Sequence, residues 1–257
     1  IIDLSEFFKK CTFKPFIDRT VRAIKVKGHM SKGFHEKMLD YAMKIGMKGL
    51  GYLEVQEDLS YKGPIDKFIP EELKKELLKI ADLEKDDTIF FIADSEKRAT
   101  ELAGQIRTEL GKRLELIDED VFQFCWIIDF PMFELDDHGK LAFSHNPFSM
   151  PQGGLEALEN KDPLEILAYQ YDIVCNGIEL SSGAVRNHDI NIMLKAFEMA
   201  GYTEDEVKSK FGALYTAFQF GAPPHAGIAP GIDRMLMLLL DEDNIRETVA
   251  FPLNASG

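Results

Sequence analysis

Apolar positions in the first 118 residues alternate between helical and strand spacing. Leu4, Phe7, Phe8 and Cys11 share one helical face, and short strands are predicted around Phe13–Ile17 and Val21–Val26. Ser31 is placed to cap a helix running to about Met47, with Phe34, Met38, Tyr41, Ala42 and Ile45 at helical intervals. Gly49 and Gly51 break that pattern ahead of a strand at Tyr52–Val55. Pro70 suits a first helical position before the buried stripe Leu73, Leu77, Leu78 and Ala81. Thr88–Ala93 has the length and apolar continuity of a buried strand, and Ser95 is placed to cap a helix bearing Ala99, Leu102, Ala103, Ile106 and Leu110. These elements predict a compact α+β domain over residues 1–118 with few candidate catalytic groups.

An acidic stretch, Asp118–Asp120, leads into a second part, residues 119–257, of different character. Phe122–Phe130 reads as a long apolar and aromatic strand holding the single tryptophan, Trp126, with Pro131 ending it or marking an edge. A turn at Asp136–Gly139 leads to a strand ending in His145-Asn146-Pro147-Phe148, followed by a Gly153-Gly154 loop. Tyr169–Arg186 is β-rich. Helices are predicted at Asp189–Ala200 and Thr203–Phe220, the second opened by a Thr203/Glu206 capping box. A strand near His225–Ala229, a buried helix from Pro230 and an apolar end at Val249–Leu253 complete the pattern.

Composition narrows the classes. Lys+Arg 30 against Asp+Glu 44 gives a net charge of −14, which argues against a protein that wraps duplex over its whole surface. No apolar run approaches the roughly 18 residues of a membrane span, and no signal peptide is recognisable. Cys11, Cys125 and Cys175 share no metal-like spacing, so reduced thiols in a cytoplasmic protein are expected. His29, His35, His138, His188 and His225 form no zinc-like pattern. The chain starts at Ile1 rather than Met and stops at Gly257 without a helix cap or polar tail, so a piece of a longer protein is expected.

Chemistry concentrates in the second part. Asn176-Gly177 favours a two-residue hairpin turn, which sets Cys175 against Ile178, Val174 against Glu179 and Asp172 against Ser181. Asp172 and Glu179 then lie diagonally on one face, either sharing a bound cation or forming a solvated acidic surface. Arg186, seven positions after Glu179, falls on the opposite face unless Ser181-Ser182-Gly183 contains a bulge that returns it. On the carboxylate face its fork suits a carboxylate or phosphate ligand, or an ion pair with Asp172 or Glu179. Gly227-Ile228-Ala229-Pro230-Gly231-Ile232-Asp233-Arg234 reads as strand into helix, with Arg234 in or near the first turn. That arrangement favours phosphate or is simply structural, and its spacing is neither Rossmann nor P-loop. His145 stands where a strand gives way to a loop.

Taken together, Trp126–Glu134, Phe143–Pro151, Tyr171–Arg186, Gly221–Arg234 and Asp243–Pro252 resemble the C-terminal part of the catalytic domain of bacterial aspartyl-tRNA synthetases, a class II family. The stretch ending at Arg234 is similar to the third class II signature motif. Residues 1–118 resemble the domain that these enzymes insert into the catalytic domain, related to one in an archaeal amidotransferase subunit. The resemblance implies an α+β fold: an inserted domain, then part of an antiparallel class II sheet flanked by helices.

It also implies site roles. Arg234 would hold the ATP γ-phosphate beside Gly231, Ile232 and Asp233, and Asp172 and Glu179 would contact ATP through Mg2+. Arg186 would clamp the aspartate side-chain carboxylate and His145 would help recognise the amino acid; Asn146 stands where the family commonly has a second histidine. The implied reaction activates aspartate with ATP and transfers it to tRNA(Asp), with tRNA(Asn) a further candidate. The whole enzyme would be a cytoplasmic homodimer without membrane association. Segments like the first two class II motifs and the anticodon-binding barrel are not found, so the 257-residue chain is expected to be inactive alone.

The alternative from another class is a non-catalytic tRNA-interaction module. It would use the basic stretch Arg19, Arg22, Lys25, Lys27 and Lys32, which otherwise reads as a solvated strand edge. An amidotransferase subunit is disfavoured because that family lacks the segment carrying Arg234.

Overall fold

The apolar run around Thr88 becomes the middle of a five-stranded sheet. The computed structural model describes residues 1–118 and 120–253, and the chain divides into two units, residues 1–119 and 120–257. The first contains β1 (Ile2–Asp3), α1 (Ser5–Phe8), β2 (Thr20–Lys27), α2 (Lys32–Lys44), β3 (Gly51–Val55), β4 (Tyr61–Lys62), α3 (Glu71–Ile80), β5 (Asp87–Asp94) and α4 (Glu96–Arg113). The strand order is β1-β2-β5-β3-β4, antiparallel throughout. Alternation along β5 sends Ile89 and Phe91 into one apolar layer with Leu4, Phe8 and Leu77, and Phe90 and Ile92 into another with Met38, Leu102 and Ile106. Burial on both faces explains why this strand lacks polar alternation.

Three local expectations change. Residues 13–17, expected as a strand, form a 3-10 turn at Lys14–Phe16, because Pro15 has no N–H for a ladder and holds a helical φ. Pro70 is the cap residue of α3 rather than its first turn. Ser95 occupies the cap of α4 without a side-chain cap bond, its own N–H donating to Asp94 Oδ1 at 2.8 Å. Ser31 does cap α2, accepting the Phe34 N–H at 3.1 Å.

Each residue of the basic stretch along and beside β2 has a carboxylate partner within the first unit. Arg19 pairs with Asp94, Arg22 with Asp3, Lys25 with Asp82, Lys27 with Glu84 and Asp87, and Lys32 with Glu36. The strand is no simple edge, since it pairs with β5 along its length and with β1 at Arg22 and Ala23. A phosphate backbone would have to compete with these carboxylates, which weakens the feature that favoured a tRNA-interaction module. All three cysteines are free, and burial pushes the Cys11 thiol up to about 11 and raises that of Cys175 as well.

The second unit contains β6 (Phe124–Pro131), β7 (Phe133–Leu135), β8 (Leu141–Phe143), α5 (Gly154–Asn160), β9 (Leu167–Cys175), β10 (Ile178–Val185), α6 (Ile190–Met199), α7 (Glu204–Gln219), β11 (Ala226–Pro230) and α8 (Ile232–Leu239). Its main sheet runs β11-β10-β9-β6, all antiparallel, with β7-β8 a separate hairpin. Gly153, at φ 84, starts α5 where a plain loop was expected. The strand before His145 stops at Phe143. Pro230 ends β11 rather than starting α8, as its missing N–H is harmless at a sheet edge. The Thr203/Glu206 capping box is present in full.

α8 corrects the expectation of a buried helix. Met237 is its one buried residue, while Ile232, Leu239 and Leu240 are exposed, as are Phe124, Trp126 and Ile128 on β6. Among the described residues nothing covers these apolar faces. No helix among them is long and apolar enough to cross a membrane.

Close strand approach fixes one glycine. A Cβ on Gly183 would lie 2.4 Å from Gly227 O and 2.4 Å from the Tyr171 ring, whose hydroxyl donates to Gly227 O at 3.1 Å. Gly183→Ala is expected to cost about 2 kcal/mol through overpacking, read as a lower urea midpoint. An unchanged midpoint would show that β10 and β11 have room to part.

Candidate active site

Residue alternation around one bulge assembles the site. Asn176 and Gly177, at φ 49 and 83, make the predicted turn, and Cys175↔Ile178 and Val174↔Glu179 pair as expected. The register then shifts between Glu179 and Ser181, so Leu180 is the extra residue and Asp172 faces Ser182 rather than Ser181. The bulge is real but lies earlier than the predicted Ser181-Ser182-Gly183 position. Its effect is the one required: Glu179, Ser182, Ala184 and, continuing the alternation, Arg186 share a face with Asp172 and Gln170.

The bulge also joins this sheet to α8. The Leu180 carbonyl, turned out of the β9 ladder, accepts the Gly231 N–H at 2.8 Å. Gly231 caps α8, which places Asp233 and Arg234 in the first turn. Arg234 Nη1 donates to Glu179 O at 2.7 Å and to Glu179 Oε1 at 3.0 Å. Both side chains remain open to solvent, 43% and 45% exposed, so the pair is accessible to a ligand and adds little to stability. Glu179, Ser182, Gly231, Asp233 and Arg234 line a cavity of about 260 Å³.

Asp172 is 8% exposed, and its Oδ1 is buried without a hydrogen-bond partner. A carboxylate oxygen in that state calls for a cation or donor from outside the chain. Arg186 forms an ion pair with neither Asp172 nor Glu179, and Glu179 pairs with Arg234 instead. The purely structural ion pair is thereby excluded. Among the described residues no group of three metal-ligating side chains occurs, so any cation here would need ligand oxygens beyond these carboxylates.

His145 stands against Phe130, ring centroids 5.0 Å apart, with Nδ1 2.7 Å from Ser144 Oγ. Phe130 pairs with Ala168 and so shares the face of Asp172. Asn146 Oδ1 accepts the Phe148 N–H at 2.9 Å, so that amide shapes the Pro147 turn. Ser182 and Gln170 reach this face with no motif to mark them; period-two alternation from Asp172 finds Gln170 directly and Ser182 once the bulge is placed. A second hollow, about 460 Å³, lies on the other face between Trp126, Ile128, Tyr171 and Ile228. It is apolar and holds none of these ionisable groups.

Residues 1–255 match the family model described as tRNA synthetases class II (D, K and N). The chain belongs to that family. It is 54% identical over 265 residues to an aspartate–tRNA(Asp/Asn) ligase of Ehrlichia chaffeensis, covering all of this chain and 45% of the relative. Over 260 residues it is 53% identical to an aspartate–tRNA ligase of Streptomyces avermitilis, covering all of this chain and 44% of the relative. This class II synthetase chain thus spans less than half the length of the curated relatives it matches.

Proposed function

We propose that this chain is part of an aspartate–tRNA ligase, with residues 1–118 as the inserted domain and residues 119–257 as the C-terminal part of the catalytic domain. The observation that carries the reading is the convergence of Asp172, Glu179 and Arg186 on one sheet face, with Arg234 reaching Glu179 from α8. Relatives named for aspartate–tRNA ligation support it.

In this reading Arg186 takes the side-chain carboxylate of aspartate through paired N–H donors, and His145 contacts the amino acid from its loop. Asparagine is rejected because an arginine fork facing an amide loses both an ion pair and a matched acceptor. Arg234 holds the ATP γ-phosphate, and Gly231, Ile232 and Asp233 line the nucleotide site. The residues fit Mg2+: Asp172 offers a buried, unpartnered oxygen and Glu179 a second hard donor on the same face, leaving phosphate and water to complete the shell. Bound there, the ion would draw negative charge from the phosphates.

The aspartate α-carboxylate attacks the ATP α-phosphorus in line, releasing pyrophosphate and leaving aspartyl-adenylate. No general base is needed, since a carboxylate of pKa about 4 is ionised at pH 7. A ribose hydroxyl at the adenosine end of tRNA(Asp) then attacks the aspartyl carbonyl, forming an ester as the mixed anhydride breaks and AMP leaves, and tRNA(Asn) is the second acceptor to assay. The whole protein would act as a cytoplasmic homodimer.

The test is aspartate-dependent ATP–pyrophosphate exchange. A protein of the relatives' full length that contains this chain is expected to exchange. The 257-residue chain alone is expected to stay at the level of its Arg234→Ala control, because the segment that would hold the α-phosphate is not recognisable in it. Exchange by the short chain well above that control overturns the assignment of a partial site.

A further inference from the structure

β9 and β10 pair only as far as Gln170↔Ala184. Beyond that point residues 148–152 bind both strand ends. On the β10 side Met150 N–H donates to Val185 O and Asn187 N–H to Phe148 O, each at 2.8 Å. On the β9 side Tyr169 N–H donates to Met150 O at 2.9 Å and Gln152 N–H to Leu167 O at 2.8 Å. Ser149 pairs with Arg186 and Pro151 with Ala168. The segment continues directly from the loop carrying His145, so one stretch of backbone touches both proposed contacts for the amino acid.

Two polar side chains are sealed into this junction. Ser149 is 0% and Gln170 5% exposed. Ser149 Oγ donates to Gln170 Oε1 at 3.4 Å, and the same oxygen accepts the Asn146 N–H at 3.4 Å. Gln170 has buried alanines as neighbours, Ala168 two residues before it on β9 and Ala184 opposite it on β10. A buried amide in apolar surroundings is costly unless it satisfies other groups. Here it satisfies one hydroxyl in the segment beside Arg186 and one N–H in the turn after His145. A neutral acceptor suits the place, because a charged one would disturb the field Arg186 presents to a dicarboxylic ligand.

We propose that Gln170 is a positioning residue for the amino-acid pocket, holding the His145 turn and the Arg186 strand end in one fixed relation. This rests on the aspartate-binding reading of the site. Gln170→Met keeps length and volume but removes the accepting oxygen, leaving Ser149 Oγ and Asn146 N–H unsatisfied. In the full-length protein the variant is expected to raise the aspartate KM about 10-fold, with the ATP KM and kcat within about twofold. Ser149→Ala should have a smaller effect, and the double variant should be no worse than Gln170→Met, since both changes act through one oxygen. Amide hydrogen exchange of residues 144–151 should quicken in Gln170→Met. A joint rise of both KM values, additive single changes, or unchanged exchange at residues 144–151 would overturn the proposal. Absence of aspartate-dependent activity in the unmutated protein would instead sink the reading of the site, and the hydrogen-exchange result would still judge the positioning role.

Discussion

Arg186→Ala in the full-length protein is expected to raise the aspartate KM by roughly 100- to 1,000-fold, with the ATP KM nearly unchanged. Two charge-assisted hydrogen bonds to a carboxylate contribute about 3–4 kcal/mol together, and each 1.4 kcal/mol is about tenfold in affinity. The fork is free to do this because Arg186 forms an ion pair with neither Asp172 nor Glu179, and Glu179 pairs with Arg234 instead. Arg186→Lys should recover the charge but not the two-pronged geometry, and so fall between the two. Stability should hardly change, since no ion pair within the sheet is lost. Pyrophosphate exchange at varied aspartate and ATP, with a thermal melt of each variant, checks all of these. An aspartate KM unmoved by Arg186→Ala would remove the residue from the pocket.

Arg234→Ala should act on turnover. By analogy with preorganised donors that meet charge developing in a transition state, kcat is expected to fall about 100- to 1,000-fold. The structural alternative is that Arg234 only ties α8 to the Glu179 strand through the 2.7 and 3.0 Å bonds. That role makes a different prediction. A half-exposed ion pair is worth about 0–1 kcal/mol, so its loss would shift the melting temperature slightly and leave kcat alone. A large loss of kcat with a nearly unchanged melt identifies a phosphate-binding arginine; a lowered melt with normal kcat identifies a strut.

Much of the second unit can be read from local chemistry. Asn176-Gly177 demands positive φ at both residues, and hairpin pairing from that turn carries the register correctly to Val174↔Glu179. Thr203 with Glu206 announces a capping box that needs no long-range partner. The bulge is different. Gly183 draws attention as the flexible residue, yet its backbone is ordinary and its lack of a side chain answers the closeness of Tyr171 and Gly227. The extra residue is Leu180, whose carbonyl is aimed at the Gly231 N–H at the start of α8. A bulge defined by a partner 51 positions away in the chain leaves no signature in its own sequence.

The same limit explains the errors in burial. Leucines and methionines at helical spacing predict that α8 has an apolar face, not what meets it, and here that face is largely exposed. Lysines and arginines on and just before β2 predict positive charge, not that Asp3, Asp82, Glu84, Asp87 and Asp94 will lie alongside. By itself the sequence determined the α+β class, the turn and cap chemistry, and the resemblance of its motifs to a class II synthetase, because each depends on short-range preference or residue identity. Tertiary structure alone decided that Arg186 joins the carboxylate face, that Arg234 meets Glu179, and that Gln170 lies buried under the His145 turn. Those relations arise where strands and helices distant in sequence converge, and a one-residue bulge is enough to turn a side chain from one face of a sheet to the other.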